Sequence, residues 1–160
     1  MSPILGLSMS SLTGRHVLLR RSLIAILTGS LLAILLSTML TFLLYRLPYG
    51  IPESLPAEIL ARTSPSPLDL VIALAGGVAA AYALAHPRLS ATLPGVAIST
   101  ALMPPLCTIG IGLAFSIHGV VLGASLLFLT NLSAIAFAGV ITFALRSEER
   151  RVGKECRSRW

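Results

Sequence analysis

The sequence predicts an all-α protein, a polytopic bundle of transmembrane helices, on three observations. Hydrophobic residues fill 55% of the 160 positions and charged residues only 11%, less than half the share with which a soluble domain coats its surface. The mean hydropathy is +0.89. Apolar stretches able to cross about 30 Å of hydrocarbon, which takes roughly 20 helical residues, occur four times.

Residues 1–14 (MSPILGLSMSSLTG) are apolar and rich in small side chains, yet too short to span. No basic region precedes them as a secretory signal would require, so they read as a truncated N-terminal helix that began upstream. The first full span, about 22–45, is rich in Leu and Ile, with Arg20 and Arg21 at its mouth and Tyr45 and Arg46 at its exit. A connection with prolines at 48, 52, 56, 65 and 67 follows, in which residues 56–62 suit one or two interfacial turns with Glu58 and Arg62 four apart. The second span, about 68–86, is mostly Ala, Gly, Val and Leu. Its pairs Gly76/Ala80 and Gly77/Ala81 have the small-xxx-small spacing that lets helix backbones approach closely, which places it inside the bundle. The third span covers about 91–115 and the fourth about 119–145.

Basic residues set the orientation. Arg15, Arg20, Arg21 and Arg88 fall on one side and Arg46 and Arg62 on the other, which puts the first group in the cytoplasm and makes this a multi-pass protein of the cytoplasmic membrane. The net charge of +6 is uneven, because residues 146–160 (RSEERRVGKECRSRW) hold six of the twelve basic and three of the six acidic residues, leaving +3 on the rest. This tail resembles the translated read-through of a sequencing adapter. It is expected to be non-native or disordered, with the membrane domain confined to 1–145.

Polar residues inside the spans are the candidate functional positions. Pro104 and Pro105, near the middle of span three, remove the backbone donors that would serve the carbonyls of Thr100 and Ala101, so the helix is expected to kink or break there. Carbonyls freed in hydrocarbon need a partner, so the interruption should face protein or a wet cavity. Two readings stand side by side: a kink satisfied by neighbouring helices, and a broken helix lining a substrate or ion path. Thr130 and Asn131 sit near the centre of span four, where an amide either clasps a neighbouring helix or forms the second wall of that path. Asp69 is the one acid in the spans. Ser66-Pro67-Leu68-Asp69 has a capping-box pattern, the alternative being a cation or proton ligand at the outer mouth. The candidate path residues are therefore Asp69, Thr100, Pro104, Pro105, Thr130 and Asn131. His16, His86 and His118 lie near membrane boundaries and are too scattered for a metal site, and Cys107 and Cys156 form no CxxC pair, so neither metal nor cofactor is expected.

An internal repeat is also readable at an offset of 102, where Pro3, His16, Leu27, Thr28 and Leu43 match Pro105, His118, Leu129, Thr130 and Leu145. The units would point in opposite directions across the membrane, as the inverted repeats of many secondary transporters do.

The strings PILGLSMSSLTG (3–14), ARTSPSPLDLVIALAGG (61–77), GVAISTALMPPLCTIGIGLA (95–114) and GASLLFLTNLSAI (123–135) resemble the integral membrane proteins grouped as domain of unknown function 389. The resemblance spans nearly all of residues 1–145 and implies a polytopic membrane domain, preceded by further sequence in longer members. It brings no established activity or functional residues. Against that pattern the chain reads as a gene fragment.

The leading functional expectation is a transporter or channel-like domain moving a small solute or ion. The alternative is a membrane-anchoring or sensing domain whose polar residues are purely structural. An enzyme is not expected, because the spans offer no paired carboxylates, no HExxH, and no serine, histidine and acid at matching depths. The expected partner is the lipid bilayer, with a homo-oligomer as an option. Nucleic acid is not expected, since the few basic residues outside the tail flank the spans.

Overall fold

The computed structural model describes residues 4–6, 8, 16–46, 57–85 and 92–157. Arg15, His86, Arg88 and the prolines at 48, 52 and 56 lie outside them. The described chain is helical: α1 (His16–Arg46), α2 (Ala57–Ala61), α3 (Pro67–Ala85), α4 (Thr92–Ala114) and α5 (His118–Arg157), preceded by helical residues at 4–6 and 8. Four of these helices are long and apolar enough to cross a membrane: His16–Arg46, Pro67–Ala85, Pro94–Ala114 and His118–Arg146. Each expected span is present and ends within a few residues of where apolar length placed it, except that α1 starts earlier. The outer faces fit lipid. Leu27, Leu31, Leu35 and Met39 project from α1, a continuous apolar stripe that water would not tolerate and hydrocarbon does.

The small-residue expectation for the second span is met by contact. Ala73, Gly77, Ala80 and Ala81 of α3 are buried, and α3 packs on α5 and α4. A Cβ on Gly77 would sit 2.8 Å from the Ala138 Cβ and 2.9 Å from the Ile135 Cα, so only glycine allows the two helices this close. At its start, Asp69 N–H donates to Ser66 Oγ at 3.2 Å and the Asp69 carboxylate accepts from the Ser66 N–H at 3.1 Å, with Pro67 in the first turn. The short α2 stops at Ala61, so Arg62 enters the following turn instead of sharing a helix face with Glu58.

Tyr45 meets Phe115 edge to face at 6.0 Å, which brings the ends of α1 and α4 to one side of the bundle. Arg146 lies over the Tyr82 ring at 4.9 Å and joins the far end of α3 to the end of the apolar segment of α5 on the other side. Because α5 follows α4 through a tight turn, α1 and α5 run in opposite senses. The turn is a Schellman motif: Ile117 N–H bonds the Gly112 carbonyl, Ser116 N–H bonds the Leu113 carbonyl, and Ser116 adopts φ 56°. That left-handed conformation suits glycine better than serine. Ser116→Gly is therefore expected to stabilise the protein by about 0.5–1 kcal/mol, read as a higher Tm in detergent; a lower Tm would show that the turn is not strained.

Of the kink or break expected in span three, the break is not present: helical structure continues across Pro104 and Pro105, so α4 is not divided in two. The prolines delete backbone hydrogen bonds without ending the helix, and the Asn131 side chain takes over one of the two freed acceptors, the Ala101 carbonyl. The fourth helix likewise does not stop at the 145/146 boundary but continues to Arg157. Nothing in Ser147-Glu148-Glu149-Arg150-Arg151 breaks a helix, and Glu and Arg are among its better formers.

Candidate functional site

The deleted donors of α4 meet a side chain of α5. With no N–H on Pro105, the Ala101 carbonyl has lost its partner one turn on, and Asn131 Nδ2 donates to that carbonyl oxygen at 3.1 Å. Both groups lie near mid-length of their apolar segments, Pro94–Ala114 and His118–Arg146. Asn131 is 6% exposed and Pro105 is fully buried. The interruption therefore faces protein, in keeping with the demand that backbone acceptors in hydrocarbon be satisfied internally. The other amide atom is different. Asn131 Oδ1 is buried and accepts no hydrogen bond among the described residues.

The remaining hydroxyls at this depth serve their own helices. Thr108 Oγ1 donates to the Pro104 carbonyl at 3.0 Å, and Thr100 Oγ1 to the Ala97 carbonyl at 2.9 Å. Thr130 Oγ1 donates to the Leu126 and Leu127 carbonyls at 3.0 and 2.9 Å. Thr100 and Thr130 are exposed on the outside of the bundle, so the structure brings Asn131 to the freed backbone of α4 but does not bring Thr130 with it. Adjacent helix positions point about 100° apart, which explains why neighbours in sequence part company here. Asp69 is engaged by Ser66 at the start of α3, where its carboxylate also accepts from the Ser66 hydroxyl at 2.7 Å.

A second set of polar joints was not anticipated. Ser37 Oγ donates to the Cys107 carbonyl at 2.9 Å and Thr38 Oγ1 to the Gly110 carbonyl at 3.2 Å, tying α1 to α4 just beyond the proline pair. Ser8 Oγ donates to the Ala136 carbonyl of α5 at 2.9 Å. The signal that finds them is serine opposite glycine: a Cβ on Gly110 would lie 2.6 Å from the Ser37 Cβ, and one on Gly139 would lie 2.6 Å from Ser8 Oγ. Among the described residues, no group of three or more His, Cys, Asp or Glu side chains could hold a metal ion.

Four membrane-length helices with lipid-compatible faces and a polar joint sealed inside define a multi-pass α-helical membrane protein. The family described as Domain of unknown function (DUF389) matches residues 1–137, and the chain belongs to that family. No curated protein and no solved structure matches it.

Proposed function

We propose that this domain passes a small hydrophilic solute or ion across the cytoplasmic membrane, along a path beside Asn131 and the proline-freed backbone of α4. The observation that carries this reading is the unpartnered, buried Asn131 Oδ1. A buried acceptor left without a donor costs about 1–3 kcal/mol, and a fold bears that burden where a guest or water completes the site. The role is non-enzymatic: the joint supplies amide and carbonyl dipoles, which can replace part of a hydration shell, and no acid or base. Arg20 and Arg21 face the cytoplasm in this reading.

A second reading, an anchoring or sensing domain, draws on the other half of the same amide. The Nδ2 bond to Ala101 is an interhelical clasp, and Thr100 and Thr130 are satisfied within their own helices. Flux into proteoliposomes separates the two. With a panel of monovalent and divalent ions and small anions, the wild-type protein is expected to admit at least one of them, and Asn131→Ala and Pro105→Ala to change that flux by tenfold or more at equal folded protein. Equal flux in all three removes the site, and no flux for any solute favours the anchor.

A further inference from the structure

The offset of 102 that pairs few identical residues pairs whole contacts. The Ser8 bond to the Ala136 carbonyl has Gly110 and Ile34 as its counterpart, and a Cβ on Gly110 would lie 2.9 Å from the Ile34 carbonyl oxygen. Gly139 faces Ser8, and their counterparts Ser37 and Gly110 face each other. Leu5 lies against Gly139, and the counterparts Cys107 and Ser37 share a hydrogen bond. Serine and glycine have exchanged places between two joints of the same geometry. Thr28, like Thr130, donates to the carbonyls three and four residues back. With α1 and α5 running in opposite senses, the described residues 4–6, 8 and 16–46 form an inverted repeat with 106–108, 110 and 118–148.

The repeat makes the burial of the two long helices comparable position by position. Each exposed residue of α5 from His118 to Arg146 has an exposed counterpart in α1. The converse fails completely at Ala25, Gly29, Leu32 and Leu36, which are exposed where Leu127, Asn131, Ala134 and Ala138 are buried. Their spacing of four, three and four marks one helix face. On α5 that face is covered by α3, through Gly77 against Ala138, and by the first half of α4, through Ala101 against Asn131. On α1 it is open: Leu36 is 68% exposed, and a Cβ on Gly29 would meet nothing within 4 Å.

We infer that the Ala25, Gly29, Leu32 and Leu36 face of α1 is the docking surface for a helical hairpin that repeats α3 and the first half of α4 in the opposite membrane sense and leads into the helical residues at Ile4. Residues 4–6 and 8 correspond to 106–108 and 110 in the second half of α4, so the first half of that helix has its counterpart in the hairpin. It is apolar and small-residue rich, because α1 presents Leu32 and Leu36 where α5 presents alanines. A second copy inserted in the same orientation does not fit, since its α3 runs the wrong way. The inference stands on the symmetry of the fold and is independent of the transport reading.

Spin labels test it. In a background with Cys107→Ser and Cys156→Ser, a nitroxide is placed at Leu36→Cys or at the lipid-facing control Leu35→Cys, and oxygen accessibility is measured in liposomes. In the chain as it stands, the two positions should be equally accessible, without spin–spin broadening. The chain is then extended by a copy of its own residues 67–104 placed directly before Pro3, the register that the offset dictates. Accessibility at 36 should fall about threefold with 35 unchanged, and a cysteine replacing the added copy of Gly77 should form a disulfide with position 36 and not with 35. A synthetic peptide of residues 67–104, co-reconstituted with the unextended chain, provides a second arm. Protection in either arm carries the inference, and protection in neither overturns it. Protection at 36 in the unextended chain alone, with spin–spin broadening, assigns the face to a second copy and also overturns it.

Discussion

Asn131→Ala is expected to destabilise the bundle by about 1–2 kcal/mol, and by clearly less in a chain that also carries Pro105→Ala. The reason is the identity of the bond removed. Asn131 Nδ2 serves the Ala101 carbonyl, the acceptor that proline at 105 leaves without its helical donor. Alanine at 105 restores a backbone N–H one turn away from that carbonyl, so the side-chain donor becomes redundant. Pro104→Ala is the control, because the donor it restores belongs to the Thr100 carbonyl and leaves Ala101 as it was. Reversible unfolding in mixed micelles across the double-mutant cycle gives the coupling energy. If the loss from Asn131→Ala is the same in the wild-type and Pro105→Ala backgrounds, the clasp does not compensate for the proline.

Gly77→Ala should be strongly destabilising while Gly76→Ala, one residue away, should be neutral or stabilising. Alanine is the better helix former by about 0.5–1 kcal/mol, so intrinsic propensity favours both changes. Packing separates them. At 77 the new methyl would meet the Ile135 Cα and carbonyl oxygen at 2.9 and 3.0 Å, backbone atoms that yield only if α3 moves off α5. At 76 its nearest neighbour would be the Ala97 carbonyl oxygen at 3.8 Å, an ordinary contact. A loss of about 1–3 kcal/mol at 77 is the usual range for overpacking. Thermal unfolding in detergent ranks the pair, and equal Tm values would mean that α3 and α5 are not held at this separation.

The helices were legible because apolar length is a property of the chain alone. Spans two to four, expected at 68–86, 91–115 and 119–145, correspond to helices at Pro67–Ala85, Pro94–Ala114 and His118–Arg146. The Ala101 acceptor was legible for a similar reason: a proline deletes the bond to the carbonyl four residues back wherever it sits in a helix. Thr130 was harder. A threonine inside a helix can always return its hydroxyl to its own i−3 or i−4 carbonyl, so polarity at mid-depth does not tell which way it faces. The serine and glycine joints escaped because identity was the wrong criterion for the repeat. Ser8 matches Gly110, and Ser37 matches Gly139, only when small size is counted as the shared property.

The Schellman turn at Ser116 also bears on how the protein enters the membrane. Three residues separate the end of α4 at Ala114 from the start of α5 at His118, too few for the helices to partition into lipid far apart. So short a connection favours their insertion together as a hairpin, which would carry Asn131 beside the Ala101 carbonyl that accepts its Nδ2 hydrogen bond. The most polar side chain at the centre of the fourth span thus needs no other part of the chain to be present when it first leaves water. Lengthening this turn would separate the amide from its acceptor at that moment, so biogenesis would suffer before any effect on the finished bundle could be seen.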